Sequence, residues 1–174
     1  MIDQSLLEEF TFSITLAVLS ILSGLAIKLL ASSLGLTTLQ KHALILDEIV
    51  GQILSRKSFL KTFTRICVWN SMVSSVIICS GAITLGVLPA VWAFLNLGLF
   101  FSGLGLFKLY AYPWVEEAAN ILSVAFGIWI GRNPCIFLSN LPIFAWIFTG
   151  IFGLYIISAL LETYEMHKAL KPNF

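Results

Sequence analysis

ICVWNSMVSSVIICSGAITLGVLPAVWAFLNLGLFFSGLGLF, residues 66–107, runs for 42 consecutive positions without a charged side chain. A helix rises 1.5 Å per residue, so about 20 apolar residues cross the ~30 Å hydrocarbon core of a bilayer. The stretch is therefore long enough for two crossings. Gly86 and Pro89, in LGVLPAVW, supply the turn between them, because proline cannot donate to the helical ladder and glycine relaxes it.

The rest of the chain repeats the pattern. Residues 10–27, 118–131 and 133–161 are also free of charge. Of 174 residues 59% are hydrophobic and 11% charged, whereas a soluble domain carries roughly 25% charged residues. Ten basic and nine acidic side chains could not cover the surface of a water-soluble fold of this length. The composition predicts an all-α, polytopic helical membrane protein forming one integral membrane domain. About five spans are expected, over residues 11–30, 66–85, 90–107, 114–131 and 143–161. MIDQSLLEEF, at the start, is acidic where a secretory signal needs a basic region, so the first apolar run reads as a retained span. RNPCIFLSNLP, residues 132–142, reads as a connection that either stays outside the bilayer or dips into it.

Charge placement sets the expected orientation. With five spans, Lys28, Lys41, Arg56, Lys57, Lys61, Arg65, Lys108, Lys168 and Lys171 all fall toward one side, and Arg132 alone falls on the other. The expectation is a multi-pass cell-membrane protein with its N-terminus outside and its C-terminus in the cytoplasm. Between the first two spans, Leu46, Ile49, Val50, Ile53, Leu60 and Phe63 recur at helical spacing opposite Lys41, Asp47, Glu48, Gln52, Arg56 and Lys57. An amphipathic interfacial helix over about 39–63 is expected, lying on the membrane or docking a partner. The formal net charge of +1 gives no basis for nucleic-acid binding.

Catalytic and metal-binding patterns are absent. Cys67, Cys79 and Cys135 have no ligand spacing, and His42 and His167 are isolated. The sequence contains no HExxH, GxSxG, Walker lysine or dinucleotide-binding glycine pattern. No cofactor and no enzymatic activity are expected.

Polar residues inside the spans are the candidate functional groups. In YPWVEEAANILSVAFGIWIG, residues 112–131, Glu116, Asn120, Ser123 and Gly127 fall at i, i+4, i+7 and i+11 and so share a helical face. Asn70 opens the second span at the same membrane level, and Asn96 sits near the middle of the third. Glu116 either caps its helix at the interface or turns inward to meet Asn70, a cation or a partner chain. Glu117 points about 100° away, toward headgroups. Gly127 and Gly131 form a GxxxG spacing that lets helix backbones approach, within the monomer or across a homo-oligomer.

The order of these motifs resembles the stage II sporulation protein M family, small multi-span proteins of bacteria and archaea. FTRICVWNSMVSSVIICSGAITLG, with Asn70, Gly81 and Gly86, is similar to the family's second-span segment. LPAVWAFLNLGLFFSGLG resembles the following span, its Asn-Gly element reading Asn96-Leu97-Gly98 here. YPWVEEAANILSVAFGIWIG resembles the segment in which a Pro-His-Gly precedes a glutamate and a small-residue helix ending in glycines, with Glu116, Gly127 and Gly131 at matching positions. The resemblance covers about residues 60–131. It departs where Trp114-Val115 replaces the family's His-Gly and two residues are missing before the glutamate, so no histidine role carries over. What it implies is a membrane scaffold without catalytic activity, engaging other membrane proteins through its spans and the segment from Gln40 to Arg65. The rival expectation is a small transporter or channel subunit with Glu116, Asn120, Asn70 and Asn96 lining a polar path.

Overall fold

A computed structural model describes residues 4–33, 58–99 and 111–169 of the chain. Every regular element among them is helical: α1 (Gln4–Ser33), α2 (Phe59–Thr84), α3 (Val87–Trp92) running into a π-helical segment (Ala93–Leu99), α4 (Tyr112–Arg132), α5 (Pro134–Ser139) and α6 (Leu141–Ala169). Three stretches are long and apolar enough to cross a membrane: Leu7–Ser33, Phe59–Thr84 and Leu141–Lys168. Val87–Leu99 is a shorter apolar helix. α4 has the length of a span, but Glu116, Glu117, Asn120 and Arg132 dilute its apolar character. The expected amphipathic helix over 39–63 lies outside the described residues up to position 57, as does the expected third span beyond residue 99.

Two boundaries differ from the expectation. Residues 59–63 belong to α2, which starts directly after the extended Ser58 and runs unbroken through residue 66. The connection at 132–142 contains a short helix, Pro134–Ser139, entered from Asn133 and left at Asn140. Pro134 explains its start, since proline suits the first turn of a helix.

The turn after α2 is made by two consecutive left-handed residues, Leu85 (φ 53°) and Gly86 (φ 85°). Both of their backbone N–H groups reach back to the Gly81 carbonyl, closing the helix end. A left-handed leucine costs roughly 1–2 kcal/mol. The sequence points to Gly86 and Pro89, and the helix cap falls at Leu85. Pro89 lies within α3 instead of ending it.

α4 is the central helix. From Ser123 to Gly131 every residue is buried, and the other long helices pack around it. Its neighbour α6 runs antiparallel: Ser158 Oγ donates to Tyr112 O near one end (3.4 Å), and Phe144 packs on Phe126 and Trp129 near the other. α2 is antiparallel to α6 as well, with Phe59 against His167 and Ile66 against Ala159. α1 meets the far end of α4, where Glu9 pairs with Arg132 at 3.3 Å.

Polarity is distributed inside out. Ser13, Thr62, Asn70, Ser74, Ser123, Ser158 and Thr163 are buried, while Ile83, Trp146, Leu29 and many other large apolar side chains face outward. A monomeric soluble protein rarely exposes contiguous apolar surface on this scale. In hydrocarbon the same arrangement satisfies both faces, since polar groups need partners and apolar ones do not.

Candidate functional site: a polar network joining three helices

Glu116 leaves the second turn of α4 and meets α2, where Asn70 Nδ2 donates to its Oε1 at 3.2 Å. One turn further, Asn120 Oδ1 accepts a 2.7 Å bond from the Tyr155 hydroxyl of α6. That hydroxyl also lies 3.3 Å from Ser123 Oγ, which in turn contacts Ser74 Oγ of α2 at 2.8 Å. The network thus ties α2, α4 and α6 together through a face of α4 with helical spacing. Its members Asn70, Ser74, Ser123 and Tyr155 are all buried.

Two more carboxyl groups border it. Glu117 is half-buried with the Asn120 side chain beside it, and Glu162 on α6 lies within electrostatic reach of Glu116. The expectation that Glu117 turns to headgroups therefore gives way to a position at the rim of the network. On the α6 side, Tyr155 and Glu162 both lie within electrostatic reach of Glu116. Tyr155, Ser158 and Glu162 fall at i, i+3 and i+7 of α6, so the spacing that marks one helical face was present there as well. A buried tyrosine also needs a partner for its hydroxyl, a second signal for Tyr155.

Asn96 is placed elsewhere. It sits in the π-helical segment, exposed, with its amide donating to Trp92 O at 3.3 Å. The segment packs on α1 through Gly98 and Gly24, where a Cβ on Gly98 would stand 2.8 Å from the Gly24 Cα.

Gly81, Gly86, Gly127 and Gly131 converge on one seam between α4 and the α2–α3 corner. A Cβ on Gly81 would run into the Gly127 carbonyl, and one on Gly131 into Gly86 N and Gly81 O. A Cβ on Gly86 would lie 2.9 Å from Ile128 O, at a backbone angle that also favours glycine. This close approach brings Ser74 and Asn70 of α2 within bonding distance of α4.

Between Ser123 and Arg132 the side chains of α4 are apolar apart from the Trp129 indole N–H. The Phe126 and Phe144 rings stand 5.5 Å apart, Trp129 and Phe144 4.4 Å, and Phe137 and Phe144 5.3 Å. Together with the glycine seam they fill the bundle toward the Arg132 end. Trp129 is fully buried, and its Nε1 has no hydrogen-bond partner among the described residues. The side-chain network of α4 with α2 and α6 therefore extends from Glu116 to Ser123, roughly 10 Å of a ~30 Å hydrocarbon core.

Among the described residues no group of three His, Cys, Asp or Glu side chains could hold a metal ion. Cys67, Cys79 and Cys135 are free thiols, and His167 Nδ1 contacts Thr163 O within its own helix. No family model, curated protein or solved structure matches the chain.

Proposed function

We propose that this chain is a five-span integral membrane scaffold, non-enzymatic, with its N-terminus outside and its C-terminus in the cytoplasm. It holds partner membrane proteins through the outward faces of its spans. The segment from Gln40 to Arg65 serves the same role at the cytoplasmic surface. The observation that carries this reading is the closure of the bundle between Ser123 and Arg132 by the aromatic layer and the glycine seam. A conduit needs polar lining across the bilayer, and among the described residues the side-chain network joins α2, α4 and α6 over about a third of that depth.

Support for five crossings comes from α4. Its 21 residues reach roughly 30 Å, and the three long apolar helices flank it. Glu116, Asn120 and Ser123 are turned toward α2 and α6, and every residue from Ser123 to Gly131 is buried, so this part of the helix meets little lipid. The resemblance to the stage II sporulation protein M family supports the scaffold role, and the exposed apolar surface supports partners within the membrane.

The test is flux through proteoliposomes containing the purified protein, with protons and monovalent cations as probes. The scaffold reading expects traces that overlay those of empty liposomes. Saturable flux that disappears in Glu116→Gln would replace it with the transporter reading.

A further inference from the structure

The outer side of the α2–α6 pair carries a groove of about 640 Å³, lined on α2 by Phe63, Cys67, Ser71 and Ser75 and on α6 by Phe152 and Ile156. Cys67, Ser71 and Ser75 are small and fall at i, i+4 and i+8, so bulk is missing along one side of α2. Ser75 Oγ donates to Ser71 O at 2.8 Å and is thereby satisfied within its own helix, leaving the groove mainly carbon-lined.

Length identifies the class of occupant. The lining reaches from Phe63 to Val76 on α2, a helical rise of roughly 20 Å. One leaflet of a ~30 Å core is about 15 Å deep. An acyl chain from the leaflet at the Phe59 end, about 15 Å long, would fill roughly three quarters of the groove.

The mouth of the groove is basic and polar. Lys61, Val68 and Met72 fall at i, i+7 and i+11, so Lys61 stands on the same stripe just beyond the groove's end. It is exposed and makes no ion pair among the described residues. The first turn of α2 begins at that level without a side-chain cap bond from Ser58, and helix N-termini attract phosphate. On the opposite bank Tyr164, 59% exposed, lies at i+8 from Ile156, an amphipathic ring of the kind enriched at headgroup level.

We propose that this groove binds one acyl chain of an anionic phospholipid, whose phosphate is held by Lys61 and the first turn of α2. The proposal rests on the membrane-spanning reading and not on the scaffold role.

The experiment uses the full chain, delipidated in detergent and offered equal amounts of phosphatidylglycerol and phosphatidylcholine with the same chains. Retained lipid is read by native mass spectrometry. One phosphatidylglycerol should be retained in roughly fivefold preference, the effect of one lysine near an anionic headgroup. Lys61→Gln should erase the preference, and Ser75→Phe, which fills the groove, should lower retention of both lipids. Equal retention by the wild type, or a preference that survives Lys61→Gln, overturns the proposal. So does efficient oxidative dimerisation through Cys67, which would make the groove a seam between two copies. If Ser75→Phe does not fold, the exposed Lys61→Gln still decides. Carbonate extraction of the source membranes separates the two failures: a protein released into the supernatant refutes the membrane reading itself, whereas an embedded protein without lipid preference refutes only the lipid site.

Discussion

Asn70 on α2 and Glu116 on α4, 46 positions apart in sequence, are joined by a 3.2 Å hydrogen bond inside the bundle. The bond is possible because Gly81 and Gly127 remove the side chains that would hold α2 and α4 apart. The polar network and the glycine seam are therefore two parts of one helix contact.

Removing either partner of that bond should destabilise the protein, and removing both should cost less than the sum. In a double-mutant cycle of Asn70→Ala and Glu116→Ala, each of which removes one partner, unfolding should show a coupling of about 0.6–2 kcal/mol, the range for hydrogen bonds between membrane helices. Zero coupling would mean that the contact contributes nothing to holding the helices.

Glycine substitutions should divide sharply by position. Gly81→Ala places a methyl group against the Gly127 carbonyl, with backbone on both sides and no flexible side chain to yield. It should lower stability by about 1–3 kcal/mol or more, the usual penalty for overpacking. Gly150→Ala and Gly153→Ala meet nothing within 4 Å, and they should be neutral or stabilising by up to about 1 kcal/mol, since alanine is the better helix former. Thermal melts of the three variants in one detergent make the comparison.

Tyr155→Phe deletes the hydroxyl that bonds Asn120 and contacts Ser123 while keeping the ring. The expected loss is about 1–3 kcal/mol, because Asn120 Oδ1 loses its donor. Asn120→Ala in the same background should then cost little more. A Tyr155→Phe variant as stable as wild type would remove Tyr155 from its place at the centre of the network.

The Glu9–Arg132 pair should matter far less. Both side chains are more than a third exposed, at 41% and 35%, and the pair sits at the end of the bundle. Arg132→Ala should change stability by no more than about 1 kcal/mol, as for other exposed pairs, with part of that from lost contact to the Phe12 ring 4.4 Å away. Added salt should shrink the difference further.

Much of this arrangement was legible in the sequence, for identifiable reasons. Long uncharged runs specify helices, since a backbone in hydrocarbon must satisfy its own hydrogen bonds. The 3.6-residue period placed Glu116, Asn120, Ser123 and Gly127 on one face, and that face does meet α2 and α6. The four glycines gathered at the seam were legible as small residues at helix-packing spacing, although which helix each would touch was not. Tyr155 and Glu162 were missed although, with Ser158, they fall at i, i+3 and i+7 on one face of α6; their period fixes the face but not the helix that face would meet. The π-helical segment was invisible too: nothing in AFLNLGL signals a widened turn, and without it Asn96 reads as an interior group. The start of α1 at Gln4, ahead of Glu8 and Glu9, shows that the helix continues past the end of its apolar run.

The central claim is that Glu116 joins helices and does not bind a ligand. Thermal stability of wild type and Glu116→Gln in detergent, across pH and a panel of monovalent and divalent ions, tests it most directly. The substitution keeps the shape of the side chain and removes its charge. The account predicts that neither protein is stabilised by any one ion, with the two melting profiles staying parallel across the panel. A single ion that raises the melting temperature of the wild type and leaves Glu116→Gln unmoved would contradict it, and would make the three-helix network a binding site.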